Sequence, residues 1–159
     1  MRNHCPDILF LFETKVSSAR FQPSLFSLGF SAWLEVPPSD LQGGLYLAWK
    51  QGVDIEPVRL DRNCIACLVY YDHSHCLWLV SRIYAPYNSQ RREIFWFVLS
   101  SIGSAFGGAW LLMGDFNSIL FAAKKSGGRE FGSSSHGNFV DFVHSNALVD
   151  LGFVGNKFT

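Results

Sequence analysis

The chain has 159 residues, of which 48% are hydrophobic and 16% charged, and its formal net charge is zero. This length fits one domain, and the charge balance excludes a strongly basic protein that attracts nucleic acid through its overall field. No apolar run reaches the roughly eighteen residues that cross a bilayer, and no secretory signal is visible, so we expect an intracellular protein without membrane contact. The 15 Phe and 5 Trp are many for such a domain and predict a core shared with segments beyond it.

Six short strands and one helix are predicted in the first half of the chain. Apolar runs bounded by turn residues indicate strands at 6–13, 30–36, 43–50, 53–60, 63–71 and 76–84. A short helix, interrupted by Pro23, is expected at 18–27. Because short strands at this spacing commonly pair with their sequence neighbours, we expect mostly antiparallel sheets.

A longer helix is predicted over 89–106, with Asn88 as its N-cap and Gly107-Gly108 at its end. Apolar residues recur along it at spacings of three and four, which indicates one buried face. We expect that face to consist of Ile94, Phe97, Val98, Ile102, Ala105 and Phe106. A short apolar strand follows at 109–113.

A last helix is predicted over 134–147, with Phe139, Phe142 and Val143 facing inward. Antiparallel strands followed by a helix, a strand and a second helix indicate an α/β fold of layered sheets flanked by helices. No repeat, low-complexity segment or linker divides the chain, so we expect a single domain over 1–159.

The strand at 109–113 breaks abruptly into Gly114-Asp115-Phe116-Asn117. If the strand geometry continues, Asp115 and Asn117 point to the same side because they are two residues apart. Ligands of α/β folds collect at such carboxyl ends of strands, so the pair is a candidate site. The alternative is an ordinary turn, because Asp and Asn are common turn residues.

Two other apolar runs also end in polar side chains, Glu13 after the first strand and Tyr84 after the sixth. Both are candidates for the same site, and both have a simpler interpretation. Glu13 could be a strand-end carboxylate paired with Lys15 or Lys50, and Tyr84 could be a packed aromatic ring with a hydrated hydroxyl.

Cys64 and Cys67, followed by His73, His75 and Cys76, have the composition of a zinc cluster. On a strand, however, Cys64 and Cys67 lie on opposite faces because their offset is odd, which does not suit one tetrahedral ion. We therefore predict buried, reduced thiols, with a small zinc-binding module as an alternative.

Six short motifs resemble, in their order and separation, those of the endonuclease/exonuclease/phosphatase superfamily. The likeness is greatest to the endonuclease domains of plant non-LTR (LINE-type) retroelements, and it covers nearly the whole chain. The motifs are Glu13-Thr14-Lys15, Gly43–Lys50, Tyr84-Ala85-Pro86, Gly114–Asn117, Lys125–Gly128 and Leu148–Thr159. The resemblance implies a deoxyribonuclease I-like fold, dependence on Mg²⁺ or Mn²⁺, DNA as substrate and a nuclear location.

The resemblance also implies roles for four residues. Glu13 would be the metal carboxylate, and Asp115 would position or activate the attacking water. Asn117 would donate a hydrogen bond to the scissile phosphate, and the Tyr84 hydroxyl would approach that phosphate. Asp115, Asn117 and Tyr84 are therefore predicted catalytic residues, with Asn117 and Tyr84 also binding substrate.

The sequence departs from the family pattern at both ends. The family has an Asn in a segment that would precede Pro6, and an Asp-His pair in a segment that would follow Thr159. Neither group is among these residues, which predicts a domain incomplete at both ends, with weak or absent activity. Lys124 also stands where the family often has an acidic residue.

Two other functions stay open at this point. A non-catalytic retroelement remnant or interaction module would retain the motifs without the reaction. A phosphatase would use Glu and Asp in the same positions, and only the segments Lys125–Gly128 and Leu148–Thr159 favour DNA as the substrate.

Overall fold

The structure, a computed structural model, describes residues 6–14, 18–38, 43–71, 77–118 and 133–152, without the side chains of residues 13, 18, 71 and 133–137. Strands and helices in these ranges begin and end within two residues of the predicted positions. They are β1 (Ile8–Thr14), α1 (Ser18–Ser27), β2 (Phe30–Val36), β3 (Gly44–Lys50), β4 (Val53–Asp61), β5 (Cys64–Tyr71), β6 (Leu77–Tyr84), α2 (Ser89–Phe106), β7 (Ala109–Asp115) and α3 (Ser133–Ser145).

The strands form two sheets, one in the order β1-β3-β2 and the other in the order β4-β5-β6-β7. Neighbouring strands are antiparallel, as predicted, with the exception of β6 and β7, which are parallel. A parallel pair needs a long crossover between its strands, and α2 provides it. The connection brings the carboxyl ends of β6 and β7 to the same edge of the sheet.

The two sheets pack face to face, and helices cover their outer faces. Leu45 and Leu47 of β3 meet Ile65, Cys67 and Val80 of the other sheet in the central core. A second apolar cluster joins α1 to the outer face of the three-stranded sheet. A third joins α2 and α3 to the outer face of the four-stranded sheet. The predicted α/β fold of layered, mostly antiparallel sheets flanked by helices is confirmed.

The two cysteines of β5 lie on opposite faces of its sheet, as their odd spacing predicts. Cys64 packs in the cluster under α2 and α3, whereas Cys67 packs in the core between the sheets. Burial raises the pKa of each thiol to about 12, which disfavours the thiolate that binds zinc. Among the residues that the structure describes, no three His, Cys, Asp or Glu side chains are grouped around a common metal position. His73, His75 and Cys76 lie outside the described residues.

The N-cap of α2 is confirmed, and the predicted buried face is confirmed for Ile102 and Phe106, which pack against the core cluster, but it is wrong for Ile94 and Phe97. The side chain of Asn88 accepts a hydrogen bond from the backbone N–H of Arg91 (3.0 Å). The buried residues of the helix are Arg92, Phe95, Trp96 and Leu99. Ile94 and Phe97 are instead 65% and 74% exposed.

The reason for this error is that α2 is apolar on more than one side. The buried side is decided by contacts from distant parts of the chain, because the ring of Trp96 lies 5.0 and 5.1 Å from the rings of Phe142 and Phe139. Phe139 and Phe142 of α3 are themselves buried, as predicted.

The helix α1 differs from its prediction in one respect, since it continues through Pro23 without interruption. Pro23 is exposed, so the carbonyl that loses its helical partner lies near solvent. As to membranes, none of the helices in the described ranges combines the length and the apolar character of a membrane span.

Candidate active site at the ends of β6 and β7

Tyr84 and Asp115 are neighbours across the parallel ladder of β6 and β7 and form its last pair. The backbone N–H of Ala85 donates a hydrogen bond to the carbonyl of Asp115 (2.8 Å), which holds the two strand ends together. In open α/β sheets, ligands bind at the carboxyl ends of parallel strands. The fold thus brings together two residues that are far apart in the sequence, at a position suited to a functional site. We call this edge the rim, defined by Tyr84, Ala85, Asp115 and Asn117.

Asn117 joins both halves of the rim. Its backbone N–H donates to Oδ1 of Asp115 (2.8 Å), and its side-chain Nδ2 donates to the carbonyl of Ala85 (2.6 Å). Asn117 has a φ of 45°, a left-handed conformation that Asn tolerates better than most residues. The strand geometry does not continue to Asn117, because β7 ends at Asp115 and the turn predicted after the strand follows, stabilised by the side chains of Asp115 and Asn117.

The amide of Asn117 has a structural partner, which is relevant to its predicted role. An Asn side chain has two N–H donors, and the carbonyl of Ala85 accepts from this amide nitrogen. The same bond fixes the amide beside Asp115, so one side chain can serve both the turn and a bound ligand.

Gly114 allows β7 to approach β6 closely just before the rim. Its φ is 138°, a conformation that favours glycine. A Cβ added at Gly114 would lie 1.8 Å from Nη1 of Arg82 and 2.0 Å from the carbonyl oxygen of Ile83. No side chain fits at this position without displacing the neighbouring strand or Arg82.

The end of β1 approaches the same region from the other sheet. The ring centroid of Phe12 lies 4.3 Å from the guanidinium carbon of Arg82 on β6. A cleft of about 480 Å³ separates the two sheets here, lined by Phe10, Phe12, Arg82, Met113, Gly114 and Asp115. The backbone of Glu13 directly follows Phe12 in β1, whereas its side chain lies outside the described residues.

The backbone of β1 is irregular where Glu13 stands. The register of β1 against β3 shifts between Leu11, which pairs with Tyr46, and Thr14, which pairs with Gly44. An extra residue in one strand forms a β-bulge, which reorients the side chains that follow it. Strict strand alternation therefore does not apply at Glu13.

The register also bears on the simpler interpretation of Glu13 as a partner of Lys50. Lys50 lies 3.6 Å from Asp7, and its neighbour Trp49 pairs with Ile8. Ile8 lies at the opposite end of β1 from Glu13. The five residue steps between them span about 17 Å at the usual rise of a strand.

Arg82 is the most deeply buried cation of the described residues, with 3% of its surface exposed. Its Nη1 donates a hydrogen bond to the carbonyl of Ile83. Burial lowers the pKa of Arg82, and the negative charge of Asp115 opposes that shift.

Two further residues hold the loop that follows Tyr84. Nη1 of Arg92, on α2, donates to the carbonyls of Pro86 (3.0 Å) and Tyr87 (2.8 Å). The side chain of Asn63 donates to the carbonyl of Tyr84 (2.8 Å).

Sequence reasoning missed Arg82, Arg92 and Asn63. A signal existed for Arg82 alone, as the one charged residue in the otherwise apolar or neutral strand Leu77–Tyr84. Arg92 and Asn63 are polar residues at unremarkable positions, and only the three-dimensional structure reveals the carbonyls that they bind.

The chemistry of the rim fits a hard divalent cation. Its described side chains offer a carboxylate, an amide and a phenol, without a thiol or an imidazole. Mg²⁺ is typically held by one or two carboxylates together with waters and phosphate oxygens. Asp115 is the described carboxylate at this edge, and the backbone of Glu13 follows Phe12 at the end of the facing strand.

The comparison with solved structures agrees with this architecture. The catalytic domain of human Nocturnin with a bound sulfate anion is 19% identical over 89% of this chain and 57% of that chain, with a TM-score of 0.54. Truncated TDP2 from Caenorhabditis elegans is 16% identical over 79% of this chain and 54% of that chain, with a TM-score of 0.48. ANGEL2, a 2′,3′-cyclic phosphatase, is 17% identical over 71% of this chain and 40% of that chain, also with a TM-score of 0.48.

Nocturnin is a member of the endonuclease/exonuclease/phosphatase superfamily, and the chain has its deoxyribonuclease I-like α/β fold. At this identity the likeness concerns the fold alone. The chain spans about half the length of these structures. No protein-family model matches the chain, and no curated protein matches it significantly.

Proposed function

We propose that the chain is part of a metal-dependent phosphodiesterase domain whose substrate is DNA in the nucleus, of the kind found in plant LINE-type retroelements. The pairing of Tyr84 with Asp115 at the rim is the single observation that carries the proposal. It supports the proposal because two of the motifs on which the sequence resemblance rests, far apart in the chain, meet at the edge of the sheet where ligands bind. The order of all six motifs supports the retroelement type.

The proposed roles follow from the position and chemistry of each side chain. Mg²⁺ or Mn²⁺ bound by Glu13 would lower the pKa of a coordinated water and neutralise charge on the phosphate. Asp115, held in place by the N–H of Asn117, orients the attacking water and accepts its proton. The Asn117 amide and the Tyr84 hydroxyl donate to the phosphate oxygens, where negative charge develops.

We also propose that these 159 residues alone nick DNA weakly or not at all. The Asn and the Asp-His pair of the family pattern are not among them. Loss of one charge-stabilising donor typically lowers a rate by about 10²–10³, and several such losses compound, although not additively.

A non-catalytic interaction module is the second candidate function. The observation that favours it is the exposure of Ile94 (65%) and Phe97 (74%) on one side of α2. Large apolar side chains so exposed on a helix are common at protein interfaces. This candidate needs no metal, which separates it from the first.

Thermal melting with and without Mg²⁺ or Mn²⁺ tests the first proposal directly. A bound ion stabilises the folded chain by mass action, by about 2.7 kcal/mol at a hundredfold excess over its Kd. We expect millimolar metal to raise the Tm of the wild type and to have no effect on Glu13→Gln, which removes the proposed metal carboxylate. The matched control is Asp54→Asn, which removes an exposed carboxylate from β4, the strand at the opposite edge of the same sheet.

A plasmid-nicking assay in the same buffers gives the second readout. Strong nicking by the wild type that disappears in Asp115→Asn would confirm the site and contradict the proposed weakness. If metal shifts neither the Tm of the wild type nor its nicking above an EDTA control, the metal-dependent function is wrong.

A further inference from the structure

Arg82 has an unusual environment for an arginine, since its charged group is buried between two strands. Only 3% of the residue is exposed. The Phe12 ring covers one side of the guanidinium at 4.3 Å, and Nη1 donates to the carbonyl of Ile83. A buried charge is costly unless its partners compensate it, so the burial of Arg82 here calls for an explanation.

The charge of Arg82 is not cancelled by direct contact with a described carboxylate. The close ion pairs of the described residues are Lys50 with Asp7 and Arg59 with Asp61. Asp115 acts on Arg82 through space, by raising its pKa against the effect of burial. The positive potential of the guanidinium is therefore still available to an anion.

Arg82 also has more donors than the described residues use. A guanidinium has five N–H groups, and among the described residues the carbonyl of Ile83 accepts from Nη1. The side chain lines the cleft of about 480 Å³ together with Asp115, and the other side chains of that cleft are apolar. Of the described residues that line it, Arg82 is the basic one.

We propose that Arg82 is a phosphate-binding residue of the site, one that adds a fixed cation to the rim. The inference rests on the proposed function, because the phosphate is that of the substrate ester. The Phe12 ring and the close approach of Gly114 fix the guanidinium before a ligand binds, so little side-chain freedom is lost on binding. Arg82 and Asp115 thus place a cation and a carboxylate on one wall of the cleft, the first for phosphate and the second for water.

The test measures binding of inorganic phosphate to the metal-free chain in EDTA, by isothermal titration calorimetry. Arg82→Met retains the apolar stem and removes the charge, and Arg82→Lys retains the charge without the planar fork. Arg59→Met is the matched control, because it removes a partly exposed arginine from the Asp61 ion pair on β4. A Tm measurement on each variant reports whether the fold survives.

We expect Arg82→Met to bind phosphate at least about tenfold more weakly than the wild type, since charge-assisted hydrogen bonds are the strong ones. Arg82→Lys should fall between the two, and Arg59→Met should match the wild type. If folded Arg82→Met binds phosphate as the wild type does, the inference is wrong.

A second measurement covers the case in which Arg82→Met does not fold. In wild-type protein labelled with ¹⁵N-arginine, the Nε–H resonance of Arg82, assigned through its backbone, should shift with phosphate and saturate. An Arg82 resonance that stays fixed while phosphate binds, or an absence of phosphate binding, would overturn the assignment.

Both measurements avoid metal and DNA, so their outcome is separate from that of the nicking assay. If Arg82 binds phosphate but metal changes neither the Tm nor the nicking, the phosphate site is supported and the nuclease proposal is wrong. If nicking depends on metal and Arg82→Met leaves the KM for DNA unchanged, the nuclease proposal is supported and the role of Arg82 is wrong.

Discussion

The ring of Trp110 on β7 lies directly against the backbone of Gly103 on α2, so close that a Cβ added there would lie 2.4 Å from Cζ3 of the indole. The indole N–H of Trp110 donates to the hydroxyl of Ser81 on β6 (2.9 Å), which fixes the ring in this position. The helix that connects the two strands of the rim is thereby held onto one of them at a position where only glycine fits.

Gly103→Ala should therefore lower the free energy of unfolding. Alanine favours a helix over glycine by about 1 kcal/mol, whereas overpacking against a fixed ring costs about 1–3 kcal/mol. Because the indole is held by Ser81, we expect the second effect to prevail, with a net loss of about 1–2 kcal/mol in urea denaturation. Ser104→Ala, on the exposed side of the same helix, is the control and should be neutral. A higher stability of Gly103→Ala would show that the ring moves aside.

Gly114→Ala should be more damaging, because it meets both a strained φ and two close atoms. The added Cβ would overlap Nη1 of Arg82 and the carbonyl of Ile83, neither of which is the loose end of an exposed chain. We expect a loss of about 3 kcal/mol or more, or failure to fold.

Gly52→Ala separates these two causes. Gly52 also has a positive φ, of 92°, but an added Cβ there would contact nothing within 4 Å. Its substitution should cost only the backbone strain, about 1 kcal/mol. Equal losses for Gly52→Ala and Gly114→Ala in the same denaturation experiment would contradict the close contact with Arg82.

Arg92→Met should loosen the loop that follows Tyr84. The variant leaves the carbonyls of Pro86 and Tyr87 without the donor that they share, and hydrogen bonds to a charged group contribute about 1.5–3 kcal/mol. We expect a loss of stability in this range, together with faster amide hydrogen exchange at residues 85, 87 and 88. Arg91→Met, at the exposed neighbouring position, should change neither quantity. Unchanged exchange in Arg92→Met would show that the loop is held by other contacts.

Cys64 and Cys67 should react slowly with N-ethylmaleimide in the folded chain. Burial raises the pKa of both thiols to about 12, so the reactive thiolate is scarce at neutral pH. Peptide mass spectrometry would report each site separately, with the chain in denaturant as the control. Modification of Cys64 or Cys67 at the rate seen in denaturant would contradict the burial.

The same thiols predict how stability depends on pH. Their folded pKa of about 12 lies above the ordinary value of 9.0, so the folded state retains its protons longer than the unfolded state. This contribution is complete below pH 9 and is lost as the pH rises from about 9 to 12. The double variant Cys64→Ala, Cys67→Ala should lose less stability over that range in urea denaturation than the wild type does.

The fold could be predicted well from the sequence because its signals are local. Alternating or continuous apolar runs separated by turn residues mark each strand, and the side chain of Asn88 marks the start of α2 through a bond to the N–H of Arg91, three residues later. The opposite faces of Cys64 and Cys67 follow from strand periodicity alone.

The buried face of α2 was beyond such reasoning. Phe95, Trp96 and Phe97 are consecutive, so the sequence offers aromatic residues to several directions at once. The contact of Trp96 with Phe142 decides between them, and it joins two helices with β7 between them in the sequence. Because a contact distant in sequence decides which face of α2 is buried, the local sequence pattern does not indicate it.

The candidate site could be predicted from the sequence only in part. Family resemblance nominated Tyr84, Asp115 and Asn117, and the structure places these three residues at one edge. The bond from the Asn117 amide to the carbonyl of Ala85 could not be predicted, because it needs both strand ends in position. For the same reason, the hydrogen bonds from Arg92 to backbone carbonyls could not be predicted from the sequence.

The parallel pairing of β6 with β7 also has a consequence for the order of folding. The hairpin of β5 and β6 joins residues close in sequence and can form by itself, because closing a short loop loses little chain entropy. The ladder between Tyr84 and Asp115 must wait for α2 to form and to dock through Trp96 and Leu99. We therefore expect the rim to be among the last parts of the chain to assemble, and a refolding intermediate with an intact β5–β6 hairpin to lack it.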